Sequence, residues 1–239
     1  MLRPPQARLL LAFLVAERHR PVPREQVAHV LWEGNPPPNW EAALRVLVGH
    51  TRKFLASSGL EIDALTTAGR CHRLRLPDSS IVDVEHADEG LRQAQAALTA
   101  DNSAAGSRCA LRSAAQARTV FELPWLPGLS GRWWQDRRDE HREHLAEILG
   151  VICEAHARLG NHSTAVTAAR RAWWLQPLQE RALRRLMTAH QRAGNRAAAI
   201  ETFHAGRRHL HDRLGIDPDP ATQELFLTLL ADGPRSRTN

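Results

Sequence analysis

The feature that most constrains this chain is a match between two stretches displaced by 34 residues. Ala155-His156-Ala157-Arg158-Leu159-Gly160-Asn161 corresponds to Ala189-His190-Gln191-Arg192-Ala193-Gly194-Asn195, and Ala165 and Ala199 extend the correspondence. A segment that recurs at such an interval is one supersecondary unit used more than once. A single unit cannot bury its own apolar face, so neighbouring units must stack. The glycine closing each copy suits a left-handed helix C-cap.

The surrounding pattern agrees. Beyond residue 82 the spacing of apolar residues predicts helices over 84–98, 103–120, 132–159, 162–175, 178–193, 196–213 and 220–231. Asp219-Pro220 supplies a cap and a first-turn proline for the last one. A 34-residue helix–turn–helix period is that of tetratricopeptide repeats, although the early Trp and Tyr of their consensus are absent. Trp133-Trp134 and Trp173-Trp174 read as interhelix packing, with a partner-facing role for one Trp of each pair as the alternative.

The first third is built differently. Helix-period spacing of Ala7, Leu10, Leu11 and Leu14 predicts a helix over 5–18, broken at Arg20-Pro21-Val22-Pro23. A second helix carries Val27, Val30 and Leu31 and stops near Trp32, before Gly34 and three prolines. A third starts near Asn39, a candidate N-cap. Leu44, Val48, Thr51 and Leu55 form its inner face, and Arg45, Val46, Gly49, His50, Arg52 and Lys53 its outer one. The period then changes to two: 65–67 and 71–76 read as a hairpin about Ala68-Gly69-Arg70. Pro77 to Ser80 reads as a linker.

Charge follows this division. The net charge is +6, and residues 1–76 hold eleven Lys/Arg against six Asp/Glu while the remainder is nearly balanced. Excess positive charge on a helix–helix–helix–hairpin pattern is the footprint expected of a polyanion-binding head. On the third helix Arg45 and Arg52 have the donors to read guanine, His50 and Lys53 to hold phosphates, and Val46 the methyls to meet thymine. Gly49 would let a backbone approach closely. Alternate residues of Arg70, Arg73 and Arg75 would lie along the adjacent minor groove. The other reading of these residues is an amphipathic helix with a solvated basic face.

Other chemistries lack support. No phosphate-binding glycine loop and no nucleophile elbow is present, so the chain is read as a non-enzyme with no cofactor. Glu140-His141-Arg142-Glu143-His144 spaces its histidines wrongly for a zinc helix and reads as a solvated charged face. Asp217, Asp219 and Glu224 would suggest a calcium loop but for Pro218 and Pro220. Cys71, Cys109 and Cys153 are odd in number and far apart, which reads as reduced thiols packed mostly as small apolar groups. No apolar run reaches the ~20 residues of a membrane span, and no signal peptide is visible. The expectation is therefore a cytoplasmic protein with no membrane partner.

Arg24-Glu25-Gln26-Val27-Ala28-His29-Val30-Leu31-Trp32 resembles the second helix of an OmpR-type winged helix-turn-helix. Ala43 to Leu55 is similar to its recognition helix. Ile81-Val82-Asp83-Val84, Phe121-Glu122-Leu123-Pro124 and Leu214-Gly215-Ile216-Asp217-Pro218-Asp219-Pro220-Ala221 resemble the bacterial transcriptional activator domain. Together they resemble the Streptomyces antibiotic regulatory protein family over about residues 5–231. Two departures stand out: the family's leading small sheet is not present before the first helix, and Cys71-His72 replaces a Gly-Tyr pair in the wing. The resemblance implies a mainly α fold, with a winged helix-turn-helix head at 1–80 followed by an all-α tetratricopeptide-like domain at 81–232; the terminal residues 233–239 read as a disordered tail. It implies an activator that binds direct repeats in double-stranded promoter DNA, as a homodimer on DNA or otherwise, recruits RNA polymerase and governs an antibiotic or secondary-metabolite cluster. The repeat domain would serve dimer formation, polymerase contact or both; the Glu33–Asn39 loop, rigid with three prolines, is a second candidate polymerase contact, with a linker that only turns the chain sharply as the other reading. The competing reading is a helical interaction scaffold whose shortened head does not bind DNA.

Overall fold

A computed structural model describes residues 2–231. The expected disordered tail at 233–239 lies outside the described residues. Ten α-helices are present among them: α1 Pro5–Ala16, α2 Arg24–Leu31, α3 Trp40–Ser57, α4 Asp83–Ala100, α5 Ala104–Phe121, α6 Arg132–Arg158, α7 His162–Leu175, α8 Glu180–Arg192, α9 Arg196–Leu214 and α10 Pro220–Ala231. Three short strands, β1 Val22–Pro23, β2 Leu65–Ala68 and β3 Cys71–Leu74, form one antiparallel sheet in the order β1-β3-β2. The chain is mainly α, as the periodicities require.

The chain divides into two compact units, Met1–Ile81 with Pro124–Asp139, and Val82–Leu123 with Glu140–Asn239. The first unit is therefore discontinuous, and it takes in a loop and the start of α6 that periodicity alone assigns to the repeats. Its core joins Leu10, Phe13 and Leu14 of α1 to Val27 and Leu31 of α2, to Leu44, Leu47, Val48 and Leu55 of α3, and to Leu65 and Leu74 of the sheet. Leu129 enters the same core, and Trp133 sets its ring edge-on to Phe13 at 5.5 Å. In the sequence β1 shows only as a helix break. It is two residues long and contains a proline, too short for a periodicity to register, yet Val22 pairs with His72 and its side chain is buried.

In the second unit α4 and α5 meet through small residues, with Ala87, Ala94, Ala110, Ala114 and Ala117 all at most 2% exposed. The 34-residue match proves to be a helix-ending device. Gly160 and Gly194 have φ of 76° and 73°. In each copy the glycine N–H donates back to the residue three before it, and the following Asn N–H donates to His156 O at 2.8 Å or His190 O at 2.9 Å. This double bond pattern satisfies carbonyls that a helix end otherwise leaves orphaned. The matched arginines converge as well: Arg158 Nε and Arg192 Nη1 donate to Glu154 at 2.9 and 3.1 Å. Burial works to raise the Glu154 carboxyl's pKa, but the two guanidiniums outweigh it and hold it below the usual range.

Leu214 to Ala221 is a connector of the same kind. Gly215, at φ 70°, ends α9. Asp217 accepts from Arg207 Nε at 3.0 Å. Asp219 caps α10 by accepting from the Thr222 amide at 2.7 Å, while Arg184 Nη1 reaches its other oxygen at 2.7 Å. The Asp219 amide donates to Glu180 at 2.8 Å. These aspartates are thus occupied in joining α8, α9 and α10.

Candidate nucleic-acid interface

The phase of α3 sets the surface. Leu44, Leu47, Val48, Thr51 and Leu55 are buried, and the Thr51 hydroxyl is satisfied by Leu47 O at 2.9 Å. Opposite them Arg45, Val46, His50 and Lys53 are exposed, with Gly49 among them half-buried. Val46 keeps 57% of its surface. Asn39 precedes the helix but makes no side-chain cap.

Arg52 is turned away from this stripe. Its Nε donates to Leu65 O at 2.8 Å and its Nη2 to the Thr67 hydroxyl at 2.9 Å. It fastens β2 to α3, and so positions the hairpin. Thr67 Oγ1 also lies 2.9 Å from His72 Nδ1. His72 is buried, and burial, followed by the Arg52 and Arg24 charges, pulls the imidazole below the usual histidine range. In place of the Gly-Tyr pair of the resembling family, Cys71 is half-buried and His72 points inward.

The hairpin turns through Gly69 and Arg70, with φ of 55° and 64°, the paired positive values that a two-residue primed turn demands. Arg70 accordingly reaches back: its Nη2 donates to Glu25 at 2.6 Å and lies 3.8 Å from Glu41, while the Arg24 amide donates to Arg70 O at 3.0 Å. Arg24 Nη1 lies 3.4 Å from Glu41. Arg24, Glu41, Arg45, Arg52 and Arg70 line a notch of about 260 Å³ beside the stripe. Sequence reasoning misses Arg24, because 45 residues lie between it and its neighbour Arg70 and no local pattern links them.

Arg73 does not join this surface. Alternation along β3 points His72 and Leu74 inward and Arg73 outward. There Arg73 and Arg75 share a separate cleft with Arg18 and His19. The structure therefore brings together Arg45, Val46, Gly49, His50 and Lys53, sets Arg70 at their flank, uses Arg52 behind them, and places Arg73 on another face.

The weaker candidates are dispersed. His141 bonds to Leu123 O at 3.1 Å while His144 bonds to Asp88 at 3.0 Å, so the two histidines serve different partners. No group of His, Cys, Asp or Glu that could hold a metal occurs among the described residues. Of the free thiols only Cys153 is buried, and burial pushes its pKa up to about 11; Cys109 is exposed, contrary to the expectation of mostly packed cysteines. Trp173 is packed while its neighbour Trp174 is 71% exposed. No helix among the described residues is long and apolar enough to cross a membrane.

An exposed basic stripe on one helix, a hairpin held beside it and a stacked-helix unit define a protein with a basic head and a helical-repeat unit. The chain belongs to the bacterial transcriptional activator domain family, whose model matches residues 82–230, within the Streptomyces antibiotic regulatory protein group. It is 28% identical over 231 residues to the regulatory protein AfsR of Streptomyces coelicolor, covering 96% of this chain and 22% of AfsR. It is 26% identical over 238 residues to the transcriptional regulatory protein EmbR of Mycobacterium tuberculosis, covering 96% of this chain and 58% of EmbR. The transcriptional regulator RedD of S. coelicolor is 26% identical, with 98% and 66% covered. The solved structure of M. tuberculosis EmbR in complex with a low-affinity phosphopeptide is similar over 98% of this chain and 61% of that one, with a TM-score of 0.82 at 26% identity. The chain thus spans only about a fifth of AfsR and less than two thirds of EmbR. These relatives are regulatory proteins.

Proposed function

We propose that the chain is a sequence-specific DNA-binding transcriptional activator whose first unit is an OmpR-type winged helix-turn-helix. The observation that carries this reading is the α3 stripe of Arg45, Val46, Gly49, His50 and Lys53, all uninvolved in the core of their own unit. Such a helix enters the major groove, where Arg45 can reach guanine, Val46 a thymine methyl, and His50 and Lys53 bases or phosphates. Direct repeats in a promoter, a homodimer on DNA, recruitment of RNA polymerase and control of a biosynthetic cluster are what the family resemblance implies, and they form part of the same proposal. The second unit supplies stacked helices, a surface suited to protein contacts.

Duplexes selected from a random pool by the purified chain, then titrated by fluorescence anisotropy, test the reading. Affinity for any duplex should fall steeply with salt as phosphate contacts release counterions. His50→Ala should cost about 1–3 kcal/mol on the selected sequence alone if it touches a base. Lys53→Ala should weaken all sequences about equally, and Arg208→Ala in the second unit neither. Negligible effects at His50 and Lys53 together, or binding indifferent to salt, would exclude the head from DNA recognition.

A further inference from the structure

We propose that Arg24 and Arg70 form a seat for a DNA phosphodiester at the flank of α3, and that Glu25 and Glu41 occupy this seat as internal counter-ions in the free protein. The seat presupposes the DNA-binding reading and adds to it two cations that hold a phosphate and two acids that compete with it for them.

Several observations converge on the notch. Arg24 Nε is shielded from solvent and has no hydrogen-bond partner. A donor shielded from solvent and left unpaired is costly. The acids do not repair this. Arg24 Nη1 stands 3.4 Å from Glu41, Arg24 Nε 3.9 Å from Glu25, and Arg70 3.8 Å from Glu41. Only the bond of Arg70 to Glu25 at 2.6 Å has hydrogen-bond length. A well-matched guanidinium and carboxylate would meet in parallel bonds near 2.8 Å. Loose pairs between half-exposed side chains contribute little and open readily.

Charge and place point the same way. Four arginines, Arg24, Arg45, Arg52 and Arg70, face or flank the notch against Glu25 and Glu41, and His72 at its base is held towards its neutral form. Two positive charges are therefore left over. Arg45 belongs to the exposed stripe itself, so a duplex lying along α3 brings its backbone to this notch. The phosphodiester's two unbridged oxygens match the forked donors of Arg24 and Arg70 better than two separated single contacts do. Until they arrive, Glu25 and Glu41 repel phosphate. A duplex must displace both acids before its phosphate can be seated, so they lower affinity for duplex whatever its sequence.

A double-mutant cycle on the full chain, read by anisotropy with a labelled duplex of mixed sequence, tests this. Glu25→Gln should raise affinity about threefold or more at low salt, and less than about 1.5-fold when introduced with Arg70→Gln, because the acid acts by competing for that arginine. Glu41→Gln with Arg24→Gln gives a second, independent cycle should either arginine variant melt early. Arg24→Gln should reduce the slope of log affinity against log salt by about one phosphate's worth. Glu61→Gln, the same charge change elsewhere on the head, should show no such coupling. Equal gains from Glu25→Gln with and without Arg70, or no gain at all, overturn the seat while leaving the DNA reading intact. Absence of any salt-dependent duplex binding by the unaltered chain overturns both.

Discussion

A methyl group on Gly49 would meet nothing within 4 Å, so neither packing nor backbone conformation asks for glycine midway along α3. Glycine there costs roughly 0.5–1 kcal/mol against alanine. A cost with no compensation inside the molecule points to a close approach from outside it. Gly49→Ala should therefore raise the head's stability by that amount in urea denaturation and weaken duplex binding in the same preparation; unchanged binding would leave the glycine without a role. His72 supports a second expectation. Its folded pKa is depressed by burial and by Arg52 and Arg24, so the unfolded chain binds the proton more readily. Stability from this group is present above the ordinary histidine pKa near 6.5 and is lost as pH falls through the lower folded value. Urea melts between pH 7.5 and 5.5 should show a steeper acid loss for the unaltered chain than for His72→Gln. Parallel profiles would mean that the imidazole is free to protonate in place. At this scale the sequence is partly legible. A helical wheel separates Leu44, Val48, Thr51 and Leu55 from Arg45, Val46, Gly49, His50 and Lys53, and the structure keeps that division. Arg52 lies at the border of the two faces, and no wheel shows that a hairpin arriving 13 residues later offers it Leu65 O.

Helices are the most legible elements because their signals are local. Periodicity and capping place α7 at 162–175 and α10 at 220–231, and the structure has those limits. Gly160, Gly194 and Gly215 act as stops through their own backbone, whatever packs around them. The Leu214–Ala221 segment carries the most specific family resemblance, and its side chains are engaged in joining helices. Asp219→Ala removes an N-cap, worth about 1 kcal/mol, and leaves Arg184 without a carboxylate partner at 2.7 Å. A lowered melting temperature for the repeat unit is expected, with Asp219→Asn intermediate because Asn still caps. Equal melting of Asp219→Ala and the unaltered chain would reduce the aspartate to a surface charge. Strands are less legible. Alternation shows β2 and β3, whereas β1 exists only because β3 offers it an edge.

Chain order hides the make-up of the first unit. Residues 1–80 read as a complete head, since three helices and a hairpin can close a core, and nothing local marks Pro124–Asp139 as part of it. Apolar residues in that segment supply the missing piece. Leu129 is 8% exposed within the head core, Trp133 meets Phe13 edge-on, and Trp134 Nε1 donates to Leu126 O at 3.2 Å, which shapes the loop. Phe13 is 1% exposed, so removing the Trp133 ring opens a void beside the centre of α1. Loss of a large aromatic contact at a half-buried position should cost about 2 kcal/mol or more. In the full chain with Trp133→Ala, amide hydrogen exchange in peptides covering α1 should accelerate about tenfold or more, at 1.4 kcal/mol per decade. Peptides covering α8 and α9 should be unchanged, because they belong to the other unit. A fragment ending at residue 81 lacks the same ring and should exchange in α1 at least as fast. It is accordingly a poor vehicle for measuring what the head alone does on DNA, and activation assays are better made by silencing the α3 stripe within the whole chain. If α1 exchanges at the same rate with and without Trp133, the segment 124–139 merely rests on a head that is stable without it.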